Sequence, residues 1–234
     1  MNRKLSVIIP TLNEAESLKH TIDAVKILDK NIEIIVVDGG SSDATIKIAE
    51  SYNVEIIQST RGRGTQLHTG ANAANGEILW FLHADTIPDL QAIAQMKTAL
   101  ENPNIVGGNF TICFDGNSTA ARFMTRLYPN LRKIGLLYGD SAIFVRRENY
   151  IKIGGFKSLS LFEDLDFINR LKRTGELAYL PAKVTTSSRR FENRSFILTF
   201  LRWTIFQVLY WLGVSPNWLA KKYYPIRKGR KNEL

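Results

Sequence analysis

The sequence alternates short apolar runs with longer polar segments of helical periodicity through its first half, and this alternation restricts the fold more than any other feature. The apolar runs are rich in Val and Ile and predict strands at 5–10, 33–37, 54–58 and 78–82. The segments that follow them predict helices at 14–28, 43–52, 65–74 and 89–100. Such βα units form a mostly parallel sheet covered by helices. We therefore predict an α/β fold.

The second half is less regular, but it continues the same architecture. We predict further strands at 109–114 and 142–145 and further helices at 119–133 and 164–173. A chain of 234 residues suits one large domain better than two. Gly107 and Gly108 mark a soft boundary within it. We expect the segments on both sides of this boundary to share one sheet.

The charge distribution limits the classes of partner. The formal net charge is +9, which attracts nucleic acid, anionic lipid or phosphorylated small molecules. Much of the excess lies in the last third, while the first half has more acidic than basic residues, so an anionic surface beside the site fits better than a nucleic-acid partner. Cys113 is the only cysteine, which excludes an internal disulfide and a multi-cysteine zinc site. The N-terminus has no long apolar run, so we expect no signal peptide and a cytoplasmic protein.

Polar residues follow three of the predicted strands, at 10–14, 38–43 and 83–86. Ligands of open α/β sheets bind beyond the carboxyl ends of the strands, so these three ends are the candidate ligand site. Asp38 and Gly39 stand at the second end, where a carboxylate could accept a hydrogen bond from the imide N–H of a uracil ring. The alternative is that Asp38 caps the next helix.

Asp85 closes the third of these ends and is a candidate metal ligand. A single carboxylate can hold Mg²⁺ or Mn²⁺ when phosphate oxygens complete the shell. His83 stands where a second aspartate would be expected, so a clamp of two carboxylates is not available. His83 is predicted to bind Mn²⁺ or a phosphate, or to fill space as isolated histidines often do.

Three carboxylates lie within four positions in the second half, at Glu163, Asp164 and Asp166. Acidic residues are favoured in a first helical turn, which is the alternative explanation for Glu163 and Asp166, but three carboxylates together exceed that need. Asp164 is the candidate general base, because transfer to a hydroxyl requires a carboxylate aimed at the acceptor proton.

Arginines and one turn complete the candidate site. The pairs Arg61/Arg63 and Arg189/Arg190 could face a diphosphate, since guanidinium groups match phosphate oxygens, although a solvated surface pair is the commoner situation. Arg63 and Arg190 are the candidates from these pairs. Gly139 and Asp140 precede a predicted strand and could contact an acceptor, or could simply form a turn.

The segment 196–214 is apolar and aromatic, but Arg202 and Gln207 interrupt it. An arginine near the middle of a span costs about 2.5–3.5 kcal/mol on insertion scales, so we do not expect this segment to cross a membrane. Three alternatives are a helix that lies on the membrane with the basic tail beside anionic headgroups, packing on the domain, and a dimer contact.

Taken together, these segments resemble the family-two inverting glycosyltransferases of the GT-A fold, and within them a small bacterial and cyanobacterial branch associated with radical-SAM or selenium proteins. The resemblance runs from Ser6 to about Tyr224 and depends on five motifs in the family's order. They are Ser-Val-Ile-Ile-Pro-Thr-Leu-Asn-Glu (6–14), Val-Val-Asp-Gly-Gly-Ser-Ser-Asp-Ala-Thr (36–45), Leu-His-Ala-Asp-Thr (82–86), Gly-Gly-Phe (154–156) and Phe-Glu-Asp-Leu-Asp-Phe (162–167).

The resemblance implies a role for each motif. Residues 1–106 would bind the nucleotide sugar, residues 107–194 would carry the acceptor and catalytic groups, and residues 195–234 would form a helix and a basic tail. A UDP-sugar is the favoured donor and a divalent ion, Mn²⁺ or Mg²⁺, the implied cofactor. Asp85 matches the last aspartate of the family's metal motif, His83 replaces the first, and Asp164, with Glu163, matches the catalytic motif. The implied donor-binding set is Pro10, Thr11, Asn13, Glu14, Asp38, Gly39, Arg63, Ala84 and Asp85.

Two other function classes compete with this interpretation. A nucleotide-binding oxidoreductase would show Gly-x-Gly-x-x-Gly after the first strand, where 10–14 stands instead. A non-catalytic nucleotide-sugar binder or membrane-associated protein of the same fold is compatible with the loss of the first metal-motif aspartate.

Overall fold

The computed structural model describes residues 4–133, 139–189 and 196–223. Arg190, one of the arginines that the sequence places near a diphosphate, lies outside the described residues, as does the basic tail after Tyr223.

One mixed sheet of eight strands forms the centre of the described residues. The strands are β1 (Leu5–Thr11), β2 (Glu33–Asp38), β3 (Glu55–Gln58), β4 (Ile78–Phe81), β5 (Thr86–Pro88), β6 (Ile105–Phe114), β7 (Phe144–Arg146) and β8 (Glu176–Thr186). Their spatial order is β3-β2-β1-β4-β7-β6-β8-β5. β1 pairs in parallel with β2 and β4, and β2 with β3, whereas β7 runs antiparallel to both β4 and β6. β8 is parallel to β6 and antiparallel to β5.

Helices cover both faces of this sheet, because successive strand residues point to opposite sides. The helices are α1 (Leu18–Leu28), α2 (Thr45–Ser51), α3 (Arg63–Ala73), α4 (Ala92–Ala99), α5 (Thr119–Lys133), α6 (Arg147–Lys152), α7 (Glu163–Leu171), α8 (Phe196–Trp211) and α9 (Pro216–Tyr223). On one face, Val7 and Ile9 of β1 pack in a cluster that includes Leu18 of α1. On the other face, Ile8 packs in a cluster that includes Leu67 of α3.

The segment after β1 is not helical, although the sequence predicts a helix from residue 14. The backbone N–H of Glu14 donates to Thr45 Oγ1 at 2.8 Å, and that of Ala15 donates to Asp43 Oδ2 at 3.1 Å. The Glu14 carbonyl accepts from the N–H groups of Ser17 and Leu18, at 3.1 and 2.9 Å, and this closes a turn that leads into α1 at Leu18. The start predicted for this helix is therefore wrong by one turn, and a polar loop stands beside the end of β2.

β8 is the largest element that the sequence prediction lacks. Its side chains alternate between buried and exposed through most of the strand, but Pro181 lies in the middle of it. Proline cannot donate to a sheet ladder, and it argues against a central strand in a sequence. The structure accommodates it with a register shift, because Phe110 pairs with Leu180 and Thr111 with Lys183.

α3 lies unusually close to the sheet, and this closeness positions its first turn. A Cβ on Gly70 would lie 2.5 Å from Ile8 Cγ2 and 2.7 Å from Val37 Cγ2. Only glycine fits at such a distance. The N-terminus of α3, which carries Arg63, is thereby held beside the ends of β1 and β2.

Within the ranges that the structure describes, no helix combines the length and the apolar character needed to cross a bilayer.

Candidate active site

β1 and β2 end side by side, and Asp38, the last residue of β2, has a buried carboxylate. Thr11 pairs with Asp38 in the parallel register, and Asp38 is 1% exposed. Asp38 Oδ2 accepts from the backbone N–H groups of Gly40 and Ser41, both at 2.8 Å. Its Oδ1 accepts from Ser41 Oγ at 2.5 Å and from Thr11 Oγ1 at 3.2 Å. A carboxylate accepts about four hydrogen bonds. Base recognition by Asp38 stays a prediction, and it requires the release of one of these bonds.

Gln66 ties the same two strand ends together, and the sequence prediction did not include it. Its Nε2 donates to the backbone carbonyls of Thr11 and Val37, both at 2.8 Å, and the residue is only 4% exposed. A Cβ on Gly39 would lie 3.0 Å from this nitrogen, so a larger residue at 39 would press on it. A glutamine on the buried side of a helix was the signal that could have identified it.

The loop after β1 is locked against the loop after β2. Pro10 is half-buried in β1, and Asn13 has a φ of 56°. Asn13 Oδ1 accepts from the Ser42 backbone N–H at 2.8 Å, and the Asn13 N–H donates to Ser41 Oγ at 2.9 Å. The ends of β1 and β2 therefore bring these predicted donor-binding residues together. Their side chains also stabilise the loops.

Arg189 joins two of the predicted site residues. It follows β8, and its Nη2 donates to both carboxylate oxygens of Glu14, at 2.6 and 2.7 Å. The same nitrogen lies 3.2 Å from Asp85 Oδ2. Burial disfavours the charged form of Arg189, but these two carboxylates outweigh it and raise its pKa. The structure thus places Arg189, the neighbour of the candidate Arg190, beside Asp85, in a position from which its guanidinium could also reach a phosphate.

His83 contacts Asp140, which the sequence assigned to the acceptor. His83 Nδ1 lies 2.9 Å from Asp140 Oδ1. Ala84, the residue between His83 and Asp85, is held through its carbonyl, which accepts from Thr21 Oγ1 at 2.8 Å. A neutral histidine that donates from Nδ1 has its lone pair on Nε2. Asp140 therefore orients the imidazole of His83 through its Nδ1.

Asp164 lies close to this pair, at the start of α7. Its Oδ2 accepts from the Gly139 N–H at 2.6 Å, and its Oδ1 accepts from the Leu165 N–H at 2.8 Å. A Cβ on Gly139 would lie 3.2 Å from His83 Nε2 and 3.4 Å from Asp164 Oδ2. Glycine at 139 thus keeps open a small space between the imidazole and the carboxylate.

Arg63 pairs with the two carboxylates of α7. Its Nε donates to Glu163 Oε1, and its Nη2 lies 3.7 Å from Asp164 Oδ2. Burial disfavours the charged form of Arg63, but Glu163, Asp164 and Asp140 outweigh it and raise its pKa. Arg63 was predicted to contact the donor; in the structure its charge is directed at the candidate catalytic carboxylates.

The pKa of Asp164 is raised above its usual range. Burial is the main cause, since the residue is 5% exposed, and the neighbouring Glu163 carboxylate adds to it. The charge of Arg63 and the two backbone N–H donors act in the opposite direction without cancelling the shift. A buried carboxyl with a raised pKa at a sheet edge is typical of a group that takes up a proton.

The residues at 83 and 85 fit a divalent ion only with help from a ligand. Among the described residues, no three His, Cys, Asp or Glu side chains are grouped as a metal site. Mg²⁺ and Mn²⁺ sites are often completed by substrate phosphates, and a single carboxylate such as Asp85 is compatible with that. An imidazole ligand favours a transition metal over Mg²⁺.

Comparison with known proteins gives the following matches. The family model described as Glycosyl transferase family 2 matches residues 6–156. Glycosyltransferase AglE of Haloferax volcanii is 33% identical in an alignment 129 residues long that covers 50% of this chain and 42% of that protein. The undecaprenyl-phosphate 4-deoxy-4-formamido-L-arabinose transferase of Proteus mirabilis is 35% identical in an alignment 117 residues long that covers 44% of this chain and 36% of that protein. The chain spans half the length or less of the first curated relatives that it matches.

A solved structure shares the architecture. Glucosyl-3-phosphoglycerate synthase from Mycobacterium tuberculosis, in complex with Mn²⁺, uridine-diphosphate and phosphoglyceric acid, superposes with a TM-score of 0.56 at 22% identity, covering 78% of this chain and 69% of that chain. At this identity the likeness concerns the fold alone. The prediction of one α/β domain with the GT-A fold is confirmed.

Proposed function

This chain belongs to glycosyl transferase family 2, and from that membership we propose that it is an inverting glycosyltransferase that moves a sugar from a nucleotide-diphospho-sugar to an acceptor hydroxyl. The observation that carries the proposal is Asp164, a buried carboxyl with a raised pKa at the edge of the sheet. Glu163 and Arg63 set its charge environment.

Asp164 is the proposed catalytic base. As the acceptor oxygen bonds to the anomeric carbon, the bond from that carbon to the diphosphate breaks, and the acceptor proton passes to Asp164. A single displacement inverts the configuration at that carbon. The Gly139 N–H fixes Oδ2 at 2.6 Å, so the carboxylate is already oriented before an acceptor binds. Its raised pKa increases its affinity for the proton that it receives.

The donor is proposed to bind along the ends of β1, β2 and β4. Pro10, Thr11, Asn13, Asp38 and Gly39 line one stretch of this edge. A UDP-sugar is favoured because the M. tuberculosis enzyme of the same fold is described in complex with uridine-diphosphate and Mn²⁺. Arg189 contacts Glu14 and Asp85. When the donor binds, Arg189 would give up some of these contacts and bind the diphosphate.

A divalent ion is proposed as cofactor, held by Asp85 together with His83. When bound, such an ion would stabilise the charge that develops on the leaving diphosphate. Asp140 is then a positioning residue for His83. Contact of Gly139 and Asp140 with the acceptor stays a prediction.

Several finer assignments are also proposals. We place the protein in the cytoplasm at the inner face of a membrane, and in the branch associated with radical-SAM or selenium proteins. Relatives described as undecaprenyl-phosphate transferases support proximity to a membrane. A homodimer stays a prediction.

One alternative function is supported by a specific observation. His83 pairs with Asp140 where the family's metal motif has its first aspartate, so the chain could bind nucleotide sugars without catalysis. Release of sugar from the donor in the presence of acceptor extracts distinguishes the two. A donor that binds but is never turned over would support the non-catalytic alternative.

A thermal-shift screen tests the donor. A ligand that binds only the folded state stabilises it, by about 2.7 kcal/mol at one hundred times its Kd. Since UDP-sugars are the proposed donors and should have the lowest Kd, we expect them to raise the melting temperature more than GDP- or dTDP-sugars do. We expect the shift to increase with Mn²⁺. An equal response to all three nucleotides, or to none, would contradict the proposed donor site.

Asp140→Asn tests the orientation of His83. We expect a loss of about 10–100-fold in Mn²⁺ affinity, measured in the presence of UDP by the EPR signal of free Mn²⁺, because partners that orient a ligating histidine contribute that much. His83→Asp provides the comparison, since a second carboxylate should shift the preference towards Mg²⁺. Unchanged Mn²⁺ affinity in both variants would contradict a metal role for His83.

A further inference from the structure

One face of α8 is apolar and exposed to solvent. Its large side chains recur at helical spacing, with Ile197 75% exposed and Trp211 59% exposed. The full set, which we name the α8 stripe, is Ile197, Leu198, Leu201, Ile205, Val208 and Trp211 on α8 and Leu212 directly after it. An apolar stripe of this kind usually faces a protein core. A contiguous exposed apolar patch marks a surface that binds something.

The opposite face of α8 packs on the domain. The ring of Tyr210 stacks on Phe162 with centroids 4.7 Å apart, and the ring of Phe200 meets the edge of Phe123 at 6.0 Å. Gln207 is also buried on this side. The rotation of the helix is therefore set by these contacts, and they direct the stripe outward.

The charged residues of α8 and α9 have one sign. Lys221 and Lys222 of α9 are exposed, and the Lys222 ammonium lies 5.8 Å from the centroid of Trp218. Arg202 is the only charged residue of α8, and neither helix contains Asp or Glu. An anionic lipid surface gains about 1 kcal/mol for each such cation near it. A second copy of this chain would bring the same positive charge to the contact and would be repelled.

The aromatic residues fit the same occupant. Trp211 and Trp218 are both more than half exposed, at 59% and 52%. Tryptophan is enriched at the boundary between lipid headgroups and acyl chains. An amphipathic helix with a tryptophan-bearing apolar face and basic neighbours lies in the plane of that boundary.

We infer that the α8 stripe docks on the surface of an anionic lipid bilayer, with α8 parallel to the membrane plane. The stripe buries its apolar side chains among the acyl chains, and the basic residues of α9 contact the headgroups. This docking is a physical property of the surface and holds whether or not the chain has transferase activity.

The same contacts connect the membrane surface to the catalytic carboxylates. Phe162, on which Tyr210 stacks, directly precedes Glu163 and Asp164, and Ser160 Oγ lies 3.0 Å from Asn217 Oδ1 of α9. The α8–α9 hairpin thus touches the loop before Asp164 at two points. If the proposed function is correct, the acceptor is a molecule embedded in the membrane, whose polar end reaches Asp164 from the bilayer surface.

Vesicle flotation tests the docking. The full chain is mixed with vesicles of phosphatidylcholine containing about one third phosphatidylglycerol, with pure phosphatidylcholine vesicles as the comparison. We expect at least about tenfold stronger binding to the anionic vesicles and a large loss at high salt. Leu201→Gln with Ile205→Gln should lower binding to anionic vesicles by at least about tenfold.

Ile27→Gln is the matched control, because Ile27 is 72% exposed on α1, outside the stripe. It should bind vesicles like the wild type. The nucleotide-induced thermal shift should be the same in all variants, so a failure of docking is separable from a failure of the donor site. Equal flotation of wild type and double variant would overturn the inference. A wild type that is dimeric in solution and becomes monomeric in the double variant would also overturn it, since a second copy would then cover the stripe.

Discussion

Replacing Asp164 with Asn is expected to lower the rate of sugar transfer by about 10²–10⁴-fold, the range that a positioned general base contributes. The amide keeps nearly the same shape, and its oxygen can still accept from the Gly139 N–H, which is 2.6 Å from Oδ2. It cannot take up the acceptor proton. The nucleotide-induced thermal shift should therefore stay close to that of the wild type, while turnover measured by release of the nucleotide diphosphate collapses.

The pH profile gives a second check on the same residue. A base acts only when it is deprotonated, and burial raises the pKa of Asp164. The wild-type rate should consequently fall with decreasing pH at a higher pH than an ordinary aspartate would produce. The residual activity of the Asp164→Asn variant should lack this fall.

Asp166→Asn is the control, because it makes the same chemical change two residues along α7. Asp166 pairs with Arg170 at 2.6 Å and with Lys157 at 3.2 Å, away from Asp164's backbone donors. Its loss should affect stability modestly and leave the transfer rate within a few fold. An Asp164→Asn variant that retains most of the wild-type rate would show that Asp164 is not the base.

Replacing Arg63 with Gln is expected to destabilise the fold by about 3 kcal/mol at neutral pH, the low end of the cost of removing one partner of a buried ion pair. Glu163 and Asp164 are almost fully buried and would lose the cation between them, whereas the Arg63 side chain is itself 35% exposed, which moderates the effect. The measurement is the free energy of unfolding in urea.

The cost of this substitution should depend on pH in a defined direction. The pKa of Asp164 is raised in the folded state, so the folded state binds more protons than the unfolded state between the ordinary and the raised value. The free energy of unfolding therefore falls as the pH rises through that interval. Arg63 lowers the pKa of Asp164 in the folded state, so its removal raises that pKa further. The pH interval in which stability falls therefore reaches to higher pH in the variant.

The variant should consequently be closer to the wild type at about pH 5 than at about pH 8. Arg61→Gln is the control. Arg61 is exposed in the preceding loop and makes no ion pair within the described ranges, so its loss should change stability by less than about 0.5 kcal/mol at either pH. A destabilisation by Arg63→Gln that is equal at both pH values would contradict the proposed charge environment of Asp164.

Much of the fold was predictable because hydrophobic periodicity is a local property. The strands that end near Pro10, Asp38 and Leu82 and the helix at 119–133 follow from the spacing of apolar residues. The rule that ligands bind at the carboxyl ends of parallel strands then selected Thr11, Asp38 and Asp85. β8 was not predictable in the same way, because Pro181 argues against a strand and only the register shift against β6 accommodates it.

The contacts between distant segments were decided by the tertiary structure alone. The sequence separates Glu14 from Arg189, His83 from Asp140 and Arg63 from Glu163, and no local pattern connects the members of these pairs. Likewise, the apolar character of 196–214 was visible in the sequence, whereas the face of α8 that remains exposed was not.

The sequence by itself thus determined the α/β architecture, the family and the residue types at the sheet edge, because short-range spacing and motif order encode them. The structure decided which carboxylate is buried, which cation faces it and which helix face stays uncovered. These properties depend on chain segments that meet only after folding. They also depend on burial, which raises the pKa of Asp164 without any change in the residues next to it in sequence.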